Sequence, residues 1–396
     1  MKQNELFPKI RFKEFTNAWE QWKVGDLIIE RIEFTKESDE FPLMAFVANE
    51  GIAAKGERYD RSSLVKDIDN KIYKITKYGD FIYSSNNLDR GSIGANKYGN
   101  ACISPVYSIF KCTNYSDHNF IENILSKHSF INKLLEYRQG VVYGQLKIHE
   151  SIFLNIKLNS PSILEQNKIG KIFSNLDSLI TLHQRKLILL KNTKNRLLEK
   201  MFCDEKSQFP SIRFKEFTNA WEQEKLGNLT ILNRFPQISA NQLKKINEYK
   251  GDIYLLPSSN NNDWKCRYNE KISHLINNAE IITVGRARNP NPKYVNGRFI
   301  SSQNHIIESK MNDILTNKFL YFFICKVGRT FYSAASTYPM FTRVDFGDAR
   351  LLFPLINEQH KILKTFNSLD SLITLHQRKL ELLKSIKNIL LEKMFV

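Results

Sequence analysis

Twelve residues, Leu-Asp-Ser-Leu-Ile-Thr-Leu-His-Gln-Arg-Lys-Leu, occupy Leu176 to Leu187 and recur letter for letter from Leu369 to Leu380. A second identical block, Ile-Arg-Phe-Lys-Glu-Phe-Thr-Asn-Ala-Trp-Glu-Gln, fills Ile10 to Gln21 and again Ile212 to Gln223. A chain that repeats two separated blocks in the same order is an internal duplication. The front blocks lie 202 residues apart and the later blocks 193, so the intervening stretch is nine residues shorter in the second half. In that stretch the halves share almost no sequence. The order constant, variable, constant, variable, constant describes a fixed frame that changes what two equivalent modules recognise.

The later block belongs to a helix. Pro161 and Pro354 each sit four residues before a Glu-Gln pair, and an early proline with acidic charge in the first turn marks a helix start. Beyond it Phe173, Leu176, Ile180, His183, Leu187, Leu190, Lys194, Leu197 and Met201 fall at alternating steps of three and four. The copy gives Phe366, Leu369, Ile373, His376, Leu380, Leu383, Lys387, Leu390 and Met394. Sustained three-four spacing is a coiled-coil seam, and its polar members suit a role in fixing register. A helix of about 38 residues makes a rod of roughly 57 Å, more than a small domain covers, so it needs a long partner. Its own duplicate is the nearest. The expected fold is α+β, with two mixed α/β recognition domains alternating with two long helices that pair as an antiparallel coiled coil under pseudo two-fold symmetry. The expected boundaries are 1–160, 161–203, 204–353 and 354–396.

The variable stretches carry short β-like runs such as Lys71 to Ile75, Asp80 to Ser84, Gly251 to Leu256 and Glu280 to Val284, with helical patches near Phe120 to Tyr137 and Asn312 to Lys326. Recognition residues are sought in the loops between them. In the first module these are Lys55, Arg58, Arg61, Asn86, Asn87, Arg90, Asn96, Lys97, Tyr98, Tyr143 and Gln145. In the second they are Ser259, Asn260, Asn261, Trp264, Lys265, Arg286, Arg288, Lys293, Tyr294, Gln303, Tyr338 and Arg343. Arg and Lys make paired bonds to guanine edges, Asn and Gln to adenine edges, and Ser and Tyr suit phosphates. For any one of them an ordinary solvated loop is the simpler role; the set is what points to nucleic acid.

Charge agrees with a polyanionic partner. Lys and Arg outnumber Asp and Glu by 58 to 41, a formal charge of +17 with a pI near 9.4. The bland alternative, a solvated basic surface of the lysine-rich kind common in AT-rich genomes, would account for part of that excess. Five cysteines with no CxxC pair support neither zinc nor a disulfide framework, and point to a reducing cytoplasm. The start lacks an apolar secretion core, and the longest apolar run, Phe319 to Cys325, is far below the roughly 20 residues of a membrane span. A nucleotide-cradling GxxxxGK[ST] loop is missing, and Asn289-Pro290-Asn291-Pro292 fails the Asn/Asp-Pro-Pro-aromatic pattern of an adenine methyltransferase. No constellation carries chemistry, so no catalytic residue, metal or bound cofactor is expected.

This organisation resembles the specificity subunit of type I restriction-modification systems: two unlike modules, each followed by a repeated helix opening Pro-x-x-x-Glu-Gln-x-Lys-Ile, here Pro161 to Ile169 and Pro354 to Ile362. The resemblance implies that each module reads one half of a bipartite double-stranded DNA target while the helices set the spacer. It further implies two methyltransferase subunits docked on the chain to modify adenine at N6, and two restriction-translocase subunits, with S-adenosylmethionine, ATP and magnesium held by those partners. A stand-alone DNA-binding regulator and a coiled-coil protein scaffold are the alternatives that the residues themselves leave open; a fused nuclease is disfavoured by length and missing motifs.

Overall fold

A computed structural model describes residues 6–48, 51–54, 71–140, 146–204, 207–333 and 338–396. It divides into two compact units, one of Met1–Gln184 with Arg378–Val396 and the other of Arg185–Gln377. The long helices span Ile163–Met201 and Ile356–Lys393, 39 and 38 residues. Each unit therefore holds the start of one helix and the end of the other.

In the first unit a four-stranded antiparallel sheet takes the order Ile28–Glu30, Ser108–Cys112, Phe81–Tyr83, Ile93–Ala95. Its apolar face packs on helices His118–Leu125 and His128–Leu135 in a core that includes Phe81, Tyr83, Phe110, Phe120 and Phe153. The helix expected over Phe120 to Tyr137 is thus two. Ser126 leaves helical geometry and Lys127 is extended, φ −61° and ψ 139°, which breaks the ladder. The second unit builds a six-stranded mixed sheet in the order Thr230–Leu232, Asn304–Ser309, Asn277–Gly285, Lys293–Ser301, Ile253–Leu256, Lys265–Cys266. Only the pairing of Ile253–Leu256 with Lys293–Ser301 is parallel. Helix Asn317–Val327 starts later than the pattern from Asn312 suggested. Leu315 is drawn into the core, and Thr316 caps the helix by accepting from the Phe319 amide at 3.2 Å.

The repeated blocks make the same joint twice. Arg11 grips Glu165 through Nε and Nη2 at 2.8 and 2.7 Å, and Arg213 grips Glu358 at 2.8 and 2.8 Å. Both carboxylates are almost wholly buried. The adjoining glutamines are buried too. Gln166 donates to the carbonyls of Tyr115 and Pro161 and accepts from the Asp117 amide, while Gln359 donates to those of Ile314 and Pro354 and accepts from the Thr316 amide. Nearly all these partners are main-chain groups, which a different module sequence can equally supply.

Packing around each joint is completed by a helix end. In the first unit Phe395 meets Trp19, Phe120 and Phe173; in the second Phe202 meets Trp221, Phe319 and Phe366. Further along, Lys387 pairs with Asp177 in the first unit and Lys194 with Asp370, at 2.6 Å, in the second. In each unit the numbering rises along one helix segment as it falls along the other. The positions at three-four spacing, Phe173 through Met201 and Phe366 through Met394, are buried or half-buried, while most of their helical neighbours are exposed.

Candidate nucleic-acid interface

Several of the recognition residues expected in the second module gather at one end of its six-stranded sheet. Strands Asn277–Gly285 and Lys293–Ser301 form a hairpin whose connection, 286–292, reads Arg-Ala-Arg-Asn-Pro-Asn-Pro. Gly285 leads into it because a Cβ there would stand 2.9 Å from the Asn289 carbonyl oxygen. The connection is tied to a neighbouring segment by an Ala287–Met340 antiparallel bridge and by bonds from Arg288 N to Pro339 O, 2.7 Å, and from Phe341 N to Arg286 O, 2.9 Å. Beside it the Gln303 turn and the loop from Ser258 close a cleft of about 590 Å³ lined by Ser258, Ser259, Arg286, Ala287, Arg288, Asn289, Asn291, Gln303, Tyr338 and Met340. A second hollow, sharing Asn289 and Asn291, adds Asn260, Asn262 and Arg329.

Backbone strain concentrates there. Arg288, Asn291 and Gln303 have φ of 66°, 41° and 56°, values that side-chain-bearing residues seldom adopt. Such conformations persist where the surrounding structure over-determines them, and they cluster at functional sites. The local field is positive. His305, stacked on Phe341 at 4.2 Å, is pushed down to a pKa of about 4 by burial and then by Arg286 and Arg343. At neutral pH it is an uncharged ring whose Nδ1 accepts from the side-chain Nδ2 of Asn233 at 3.2 Å.

Five expected contacts, Ser259, Arg286, Arg288, Gln303 and Tyr338, thus share one cleft, with Asn260 in the adjoining hollow; Asn261 is exposed on the same loop. Arg343 is exposed at the start of helix Arg343–Asp348. Other expectations are corrected. Lys293 is buried, its ammonium donating to the carbonyls of Pro257 and Ser259 and its pKa lowered to about 8 by burial, so it supports the loop from beneath. Tyr294 is half-buried and donates to Glu280 at 2.6 Å. Trp264 packs on the core around Leu243, and Lys265 lies over the Tyr254 ring at 4.6 Å.

In the first module Asn96 is fully buried. Its amide donates to Thr76 and Gly99 and its oxygen accepts from the Tyr98 and Gly99 amides, so it builds a turn and reaches no base. Lys97 is held by Glu122 at 2.9 Å and Asp177 at 3.0 Å. Arg90 and Tyr98 are exposed. Lys55, Arg58, Arg61, Tyr143 and Gln145 lie outside the described residues, as do the side chains of Asn86 and Asn87. Asn291 and Arg329 were missed by loop reading: the first stands inside a proline-flanked run read only as a failed methyltransferase motif, the second directly after an apolar helix.

Two unlike mixed modules on a repeated helical joint, one with an arginine- and asparagine-lined cleft, define a recognition protein. The family model described as type I restriction modification DNA specificity domain matches residues 1–192 and again 219–385. The chain belongs to that family. It is 23% identical over 293 residues to a putative type I restriction enzyme specificity subunit of Methanocaldococcus jannaschii, covering 67% of this chain and 66% of that protein, just under two thirds of its length. The crystal structure of the type I restriction-modification S subunit from M. genitalium matches with a TM-score of 0.64 at 13% identity, over 98% of this chain and 99% of that one, which supports the fold. No helix among the described residues is long and apolar enough to cross a membrane.

Proposed function

We propose that this chain is the non-catalytic DNA-specificity subunit of a cytoplasmic type I restriction-modification complex, in which residues 1–160 and 204–353 each read one half of a bipartite duplex target. Segments 161–203 and 354–396 pair as an antiparallel coiled coil, relate the modules by a pseudo two-fold axis and set the unread spacer. Two methyltransferase subunits dock on this frame to methylate adenine at N6, and two restriction-translocase subunits join them. S-adenosylmethionine, ATP and magnesium belong to those partners.

The observation that carries the reading is the duplicated joint. Arg11–Glu165–Gln166 and Arg213–Glu358–Gln359 hold sheets of unlike topology through contacts made largely to main chain. A frame that ignores module sequence suits a protein whose modules change with the target. Phosphate contacts by the basic modules would supply salt-dependent affinity, and loop side chains the sequence selection.

The test is to incubate plasmid DNA and S-adenosylmethionine with the chain, with its methyltransferase partner, and with both, and to map modified adenines by long-read sequencing. Methylation at a single split motif only when both are present is the expected result. Methylation by this chain alone, or sequence-specific binding with no effect of the partner, would overturn it. Inserting one helical turn, about 5.4 Å, near Asn195 should lengthen the spacer by one or two base pairs; an unchanged spacer would remove the helices from that role.

A further inference from the structure

We infer that Arg288 is the specificity-determining residue with which the second module selects a guanine in its half-site; the inference rests on the DNA-specificity reading above. Arg288 stands at the centre of a γ-turn. Its φ is 66°, and the Asn289 amide donates to the Ala287 carbonyl at 2.9 Å across it. That turn is rare and strained for a residue with a side chain, and glycine would adopt it at lower cost. The surroundings hold it in place: the Arg288 amide donates to Pro339 O at 2.7 Å, and the Gly285 amide closes the loop onto Pro290 O at 2.7 Å. The strain is maintained at the one position of the loop that carries a guanidinium over an aromatic face, 4.8 Å from the centre of the Tyr338 ring.

The chemistry of that placement favours a base edge over a phosphate. A phosphate asks only for charge nearby, which any exposed lysine supplies. A guanine presents O6 and N7 as a pair of acceptors in one plane, and a planar guanidinium held over an aromatic ring offers a matching pair of donors with less freedom to lose. Arg288 has no carboxylate partner within 4.0 Å among the described residues, and the Tyr338 ring, centred 4.8 Å from its guanidinium carbon, steadies the group without neutralising its charge. Arg286 differs, because its Nε already donates to the Asn304 carbonyl at 3.3 Å. Arg286 therefore serves the neighbouring phosphate and Arg288 the base.

The experiment compares methylation maps on a plasmid library of random target sequences. The full chain is assembled with its methyltransferase partner as wild type, Arg288→Asn, Arg288→Lys and Tyr338→Leu. Asparagine tolerates a positive φ, so Arg288→Asn keeps the turn, and methylation governed by the first half-site reports that the variant folds. The expected result is a guanine in the wild-type second half-site, with preference at that one position falling about 5- to 150-fold in Arg288→Asn. Arg288→Lys and Tyr338→Leu should show smaller losses at the same position, and the first half-site should not change. A wild-type half-site with no guanine, an unchanged motif in Arg288→Asn, or a uniform loss across all sequences with a shallower salt dependence overturns the assignment and leaves the specificity-subunit reading standing. Failure of the wild-type complex to methylate any split motif overturns both.

Discussion

The cores of the two units are built to one plan, and the sheets above them are not. Trp19 and Phe120 stand 5.8 Å apart at 62°, and Trp221 and Phe319 stand 5.8 Å apart at 62°. The phenylalanine that seals each cluster comes from the end of the helix begun in the other unit, Phe395 in the first and Phe202 in the second. Between these identical joints one chain segment folds a four-stranded antiparallel sheet and the other a six-stranded mixed sheet. Joint and module are therefore encoded separately. The repeated side chains specify the joint, and a module need offer it only an apolar surface and a few main-chain groups.

Removing the sealing phenylalanines should do the most damage to either joint. Phe202→Ala and Phe395→Ala each delete a nearly buried ring, a loss of about 3–5 kcal/mol. If the joints are equivalent, urea unfolding should register similar losses for the two variants. A large effect at one site and a small effect at the other would show that the shared geometry hides unequal energetics. Glu165→Ala and Glu358→Ala come next, at about 3 kcal/mol each. This is the lower end for breaking a buried pair, because each arginine side chain retains 13% exposure. Thermal denaturation of the two variants side by side is the check, and a loss below about 1 kcal/mol would remove the ion pair from the joint's stability.

How much of this was legible in the sequence follows the same division. The long helices, their starts and the half-buried positions at three-four spacing could be read because helical periodicity is local and was written twice. Glu165 and Gln166 stood in the quoted helix-start pattern, yet their partners could not be found: Arg11 is 154 residues from Glu165, and spacing along a chain says nothing about such a contact. In the modules, strands near Phe81 and Ile253 were visible as apolar runs, whereas sheet order depends on long-range pairing that no local pattern carries. Loop residues divided by burial. Arg286, Arg288 and Gln303 reach the cleft, while Asn96 and Lys293 have the same chemistry turned inward to bind main-chain groups. Residue type alone cannot distinguish a side chain that stiffens a loop from one that the loop presents.

Inside the helical frame the two units differ by one ion pair. Asp177 and Asp370 occupy the same place in the repeat, but Asp177 accepts from both Lys387 and Lys97, a lysine of the first module, whereas Asp370 accepts from Lys194. Asp177→Asn should cost about 1–2 kcal/mol at neutral pH and Asp370→Asn less than about 1. Burial raises the Asp177 pKa, and the two lysines outweigh it, leaving the folded value below the usual aspartate range. A depressed folded pKa means that the unfolded chain binds the proton first as pH falls. The contribution is therefore complete above the unfolded pKa and disappears as pH falls through the folded one. Wild type and Asp177→Asn should accordingly converge in stability in strong acid; a gap that persists there would assign the loss to packing.

The last contrast lies in the cleft, where the second unit carries its own reporter. His305 has a folded pKa of about 4 against an ordinary 6.5, through burial first and then Arg286 and Arg343. Being a base with a depressed pKa, it stays neutral in the folded chain while the unfolded chain takes up a proton below about 6.5, so its stabilising contribution is lost as pH falls from there toward 4. Nuclear magnetic resonance of the imidazole should place its midpoint near 4 and move it upward in Arg286→Ala. DNA bound as proposed would supply the same relief by another route. Phosphates beside Arg286 and Arg343 would offset their charge, raise the His305 pKa and couple binding to proton uptake, so that affinity strengthens as the pH is lowered toward that midpoint. A His305 midpoint that DNA leaves unmoved would place the phosphates away from these two arginines, and would separate the cleft from the surface that carries the duplex.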